Sequence, residues 1–171
     1  MSSHLRRLSS TTSILALLAL IVVSLPGKLM AQTQTSQTNK EIVEKAFDNW
    51  RTGKGSVYDF LADDAQWTIA GASLAAGTYN SKEEFFDKVI RPFNARVKSP
   101  LSPTIREIHT SGDTVVVLFD ASTTANDGVL YKNTYAWFLQ LRDGRVVKAT
   151  AFFDTKWFDE FWIRVKPASA N

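Results

Sequence analysis

The stretch Tyr131–Asp154 constrains this chain most. Two runs rich in β-branched and aromatic residues flank Arg142-Asp143-Gly144-Arg145. Asp-Gly between apolar runs marks a two-residue hairpin, because both central positions need positive φ. A long hairpin of this kind must bury one face, so it predicts a wall of a larger sheet rather than an isolated ribbon.

Working outward, the chain reads as helices first and strands later. Thr38 with Glu41 has the form of a capping box, followed by Ile42, Val43, Ala46, Phe47 and Trp50 at helical spacing. Gly53 and Gly55 end that helix, and Ser56 with Asp59 opens a short second one. A strand is expected over Ala65–Ile69. Ser81 and Glu84 open a third helix whose buried face is Phe85, Phe86, Val89, Ile90 and Phe93, kinked or ended by Pro92. Four strands follow, at Thr104–Thr110, Thr114–Thr123, Val129–Leu141 and Val146–Phe153, and then a terminal helix with Trp157, Phe158, Phe161, Trp162 and Val165 on one face. This order predicts an α+β fold: a curved antiparallel sheet wrapped around helices to form a cone.

The first 31 residues read as a secretory leader: Arg6 and Arg7, an apolar stretch Ile14–Val23, a Pro26-Gly27 break and Ala31 at a cleavage position. Ten apolar residues are half of what spans a bilayer, so no stable anchor is expected after cleavage. The expected location is periplasmic or secreted. Residues 32–38 read as a flexible polar tether, 39–165 as the domain and 166–171 as a tail. The leader holds three of the 20 basic residues and none of the 17 acidic ones, so the remainder carries no net charge and nucleic acid is not expected as a partner. No cysteine is present, and an exported domain must then stand on its core. All 20 aromatic residues lie after residue 46.

Several motifs together carry a resemblance. Ala62-Asp63-Asp64-Ala65-Gln66-Trp67, Gly77-Thr78-Tyr79, Leu141-Arg142-Asp143-Gly144-Arg145-Val146 and Ala151-Phe152-Phe153-Asp154, in this order, resemble the SnoaL-like branch of the nuclear-transport-factor-2-like superfamily over Asn39–Val165. Ketosteroid isomerases, limonene epoxide hydrolases and polyketide cyclases are its relatives. The resemblance implies a cone with a deep apolar pocket, and homodimers through the outer face of the sheet. Carried over residue by residue, the epoxide hydrolases' Asp falls on Asp120, but their Arg falls on Leu118, their second Asp on Ala151, their Tyr on Trp67 and their Asn on Ile69. The cyclases' acid/base falls near Ala151 and the isomerases' base near Ile69. Each reaction has lost a group that moves a proton or holds water, so none of the three is expected as it stands.

With Asp120 taken as inward-facing, alternation brings Leu118 and Ser122 inward beside it. Asn133, Tyr135 and Trp137 share one face of the next strand, and Phe153 and Ala151 one face of the last. Trp67 and Ile69 complete an apolar hole with a polar spot. That composition suits a small, largely apolar ligand. Three readings follow: an exported binding module; an enzyme with Asp120 as acid/base and Tyr135 or Asn133 as donor; or a module that only dimerises. Asp154 reads as a helix cap, and lone His109 makes no metal cluster. Nothing in the sequence calls for a cofactor.

Overall fold

The Asp143-Gly144 turn forms as expected, with φ of 51° at Asp143 and 74° at Gly144. It joins β5 (Leu130–Arg142) to β6 (Arg145–Phe153) in the computed structural model, which describes the backbone of residues 26–168 and side chains from residue 30. Residues 1–25, most of the segment expected to be a leader, and the last three residues lie outside the described residues.

The expected strands are present as β1 (Leu61–Ile69), β3 (Ser102–Ser111), β4 (Thr114–Thr124), β5 and β6. A sixth, β2 (Gly77–Tyr79), was not anticipated. The order across the sheet is β2-β1-β6-β5-β4-β3. All neighbours are antiparallel except β1 and β6, which run parallel with Trp67 opposite Ala149 and Ile69 opposite Ala151. The sheet is curved and does not close. Pro103 lies within β3 rather than in the loop before it, and an edge strand tolerates the missing donor.

Four helices, α1 (Pro26–Arg51), α2 (Lys82–Phe85), α3 (Arg91–Asn94) and α4 (Thr155–Arg164), lie with the sheet. Thr38 does not start α1, and residues 32–38 are not a tether: the helix runs through both. No glycine or proline interrupts residues 28–52, and Thr38 Oγ1 donates to the Gln34 carbonyl four residues back, so its hydroxyl serves the helix interior instead of a cap. Ser36 fastens the early part to the β3–β4 turn, its hydroxyl donating to Gly112 O at 2.8 Å. The buried residues of α1 begin at Asn39.

The other caps form as read. Ser56 and Asp59 make a full capping box on the 3-10 turn Val57–Phe60. Ser81 caps α2. Between α2 and α3 the helix widens into a π turn, Phe86–Ile90, where Arg91 N–H reaches Phe86 O just before Pro92, which has no donor to give.

The core lies between α1 and the concave face of the sheet. Phe47 meets Phe119 at 4.9 Å, Phe119 meets Trp137 at 4.8 Å, and Trp137 meets Trp67 at 5.0 Å, all edge to face. Trp67 then stacks on Phe85 at 4.6 Å. Edge-to-face and offset contacts suit the ring quadrupole.

Candidate functional site

Inside the cone a cavity of about 370 Å³ remains open. Trp67, Ile69, Tyr135, Trp137, Ala151 and Phe153 form its sheet wall. Trp50, Tyr58, Phe85, Phe86, Val89 and Phe93 face them from the helical side, and Phe158 of α4 closes one end. Gly53, Gly55, Ser56 and Asp59 on one loop, and Asn94, Pro100 and Leu101 on another, form the rim.

Five of the nine expected site residues are therefore where the sequence put them: Trp67, Ile69, Tyr135, Trp137 and Phe153. Asn133 also points inward and is buried, but it does not reach the cavity. Its amide is spent at the end of the cone. Nδ2 donates to Asp154 O at 2.9 Å and to the Tyr131 hydroxyl at 3.2 Å, while Asp154 N–H donates to Oδ1 at 3.0 Å. Asp154 in turn caps α4 through Lys156 N and Trp157 N, as expected. Asn133 is thus a fastener between β5 and α4.

The remaining three are corrected. Asp120, Leu118 and Ser122 face away from the cone. The inward residues of β4 are Val115, Val117, Phe119, Ala121 and Thr123, all buried. The Asp120 side chain is 53% exposed, accepts from Thr134 Oγ1 at 2.6 Å and lies 3.7 Å from Arg106 Nη1. The physical reason is parity: a carry-over displaced by one residue turns every side chain of a strand to the other face. The alternation itself held the answer, since the odd positions of β4 are the more apolar set and a carboxylate stays hydrated on the other side.

The polar groups of the cavity are few. The Tyr135 hydroxyl bonds the Tyr131 hydroxyl at 2.8 Å. Burial raises the pKa of Tyr135 well above that of a free phenol, with Tyr131 adding to the shift, and burial likewise pushes Tyr58 up. Both stay neutral across the physiological range. The one carboxylate in the lining, Asp59, sits at the rim, where Oδ2 accepts from Ser56 N at 2.7 Å. Two buried indole donors of the wall, Trp67 Nε1 and Trp137 Nε1, have no acceptor. His109, on the surface, bonds Glu107 at 3.1 Å. Among the described residues no group of three metal-ligating side chains converges. Apart from Ala151 of β6, the lining residues that sequence reasoning did not name as site residues are on the helices and loops; the aromatic spacing of Phe85, Phe86 and Phe93 was legible as a buried face, but not that part of this face stays uncovered.

The sequence model of the SnoaL-like domain matches residues 43–149, and the chain belongs to that family. No curated protein matches it. Solved structures show the same fold. Bal32a, from a soil-derived mobile gene cassette, superposes with a TM-score of 0.62 at 19% identity, covering 75% of this chain and 98% of that one. A nuclear-transport-factor-2-like protein of Burkholderia pseudomallei K96243 gives 0.60 at 23%, covering 76% and 98%. TerC, co-crystallised with polyporic acid, gives 0.59 at 19%, covering 73% and 98%.

Proposed function

We propose that this chain is an exported binding module that holds a small, largely apolar molecule inside its cone. One observation carries the reading: the cavity stays open, yet its wall is built of aromatic and aliphatic side chains, its buried tyrosines stay neutral, and the carboxylate in its lining, Asp59, is held at the rim by Ser56 N–H. Proton transfer needs a group that can exchange its proton near the working pH. Asp120 is on the other side of the sheet, so it cannot serve an enzyme reaction in the cone. The volume falls in the lower part of the range for small-molecule sites. TerC, of the same fold, was crystallised with a small molecule, which agrees with this use of the architecture.

Titration with N-phenyl-1-naphthylamine, a neutral apolar dye, tests the reading. About 17 non-hydrogen atoms at roughly −0.35 kcal/mol each give a Kd of tens of micromolar. Ala151→Phe should fill the cavity and abolish the fluorescence rise while circular dichroism stays unchanged. Equal binding by both proteins, or none by either, would refute it.

Export rests on the leader pattern. Cleavage near Ala31 would spare every buried residue of α1, which start at Asn39. Sequencing the amino terminus of the exported protein checks this; an intact Met1 would overturn it. A homodimer through the outer sheet face is supported by Phe138 and Phe152, 43% and 47% exposed, which meet edge to face at 6.0 Å with Leu118 and Ala136 beside them in register.

A further inference from the structure

Asp120 and Ser122, which face away from the cone, meet the buried Asn133 at the cone's end. They line a second hollow of about 570 Å³ on the outer face, at the opposite end of β5 from Phe138. Its floor is two rows of polar side chains across three strands. Thr104, Asp120 and Thr134 stand opposite one another in one row, and Ser102, Ser122 and Lys132 in the next. Trp157, in the first turn of α4, forms one side.

Two features set this hollow apart from an ordinary hydrated surface. Four of its polar side chains are unspent. Lys132 Nζ and the hydroxyls of Ser102, Thr104 and Ser122 make no side-chain hydrogen bond or ion pair, and Asp120 uses only Oδ1. The ring beside them is also unspent. The other four tryptophans each contact another ring, whereas Trp157 contacts none and is 55% exposed. Asp154 Oδ1 accepts from Trp157 N, so the backbone carrying that ring is fixed to the end of β6.

We propose that this hollow binds a pyranose ring. An indole face takes the C–H face of a sugar, while a carboxylate, an ammonium and several hydroxyls supply both donors and acceptors for the ring's hydroxyls. An apolar molecule would leave those groups desolvated and unpaired, and a phosphate would meet the Asp120 carboxylate. The site is independent of the cone, and its occupant is either a single sugar or one unit of a polysaccharide.

Methyl β-D-glucopyranoside, methyl β-D-galactopyranoside and cellohexaose serve as probes against the full chain, followed by tryptophan fluorescence and saturation-transfer NMR. Saturable millimolar binding is expected. Trp157→Ala and Asp120→Ala should each weaken it about tenfold, Trp157→Tyr should retain most of it, and dye binding in the cone should be unchanged in Trp157→Ala. Tighter binding of cellohexaose identifies a polysaccharide as the source, and equal binding identifies a single ring. No saturable signal with any probe, an affinity indifferent to Trp157→Ala, or acrylamide failing to quench Trp157 because a second copy covers it would each overturn the proposal.

Discussion

Asn133 holds the backbone of Asp154 from both sides, donating to its carbonyl at 2.9 Å and accepting from its N–H at 3.0 Å. The two residues fix the corner at which β6 turns into α4, and therefore where Phe158 sits at the end of the cavity. Asn133→Ala removes three hydrogen bonds at a site 6% exposed, and should cost about 2–4 kcal/mol in urea denaturation. A loss below about 1 kcal/mol would show that the corner is held by the apolar contacts of α4 instead.

Asp120→Asn provides the contrast. The carboxylate is half exposed and its contacts are to Thr134 and Arg106, so stability should change by less than about 0.5 kcal/mol. Affinity for an apolar dye should not change at all. A large loss of dye binding would mean that Asp120 reaches the cone after all.

Phe119 supports the other wall, fully buried against Phe47 and stacked on Tyr135 at 4.9 Å. Phe119→Ala should cost about 3–5 kcal/mol, measured by the same unfolding transition, and should enlarge the cavity. Leu139, equally buried, is a control whose truncation to Ala should cost about 2–5 kcal/mol.

All four tyrosines of the chain have raised pKa values, with burial the leading cause for each. In the unfolded chain they ionise near 10.0. The folded state holds the proton more tightly, so this contribution to stability is complete below pH 10 and falls as pH rises beyond it. Tyrosinate absorbance should therefore not rise through a free-phenol titration near pH 10, but should appear together with loss of the native circular dichroism at higher pH. A separate titration at pH 10 with the fold intact would contradict it.

The outer face gives one association test. Phe152→Lys places a charge beside Phe138 in the middle of the exposed apolar strip and should shift sedimentation from dimer to monomer. A wild-type monomer at all concentrations would remove the dimer proposal.

What the sequence disclosed was local, and what it concealed was pairing. Asp143-Gly144, the Ser56 box and the Asp154 cap each depend on a few adjacent residues, and each formed where read. The partner of β1 is β6, far along the chain, and no local signal reports a parallel pairing of that kind. β2 is three residues long, too short to show alternation. Thr38 shows the limit of a motif: the Thr-x-x-Glu pattern was present, but the uninterrupted chain before it was already helical. Asp120 shows how a carry-over from relatives can override a better signal. Val115, Val117 and Phe119 alone assign the inner face of β4, and hence place Asp120 outside.

The parallel register of Trp67 on Ala149 also fixes an order of events. During synthesis β1 is made early, and its β6-facing edge has no native neighbour until residue 151 has left the ribosome. Closing so large a loop is entropically uphill, and parallel contacts between distant segments form slowly. A nascent chain stopped before β6 would expose the Trp67 edge, so for this molecule the joining of its two half-sheets waits on the arrival of β6.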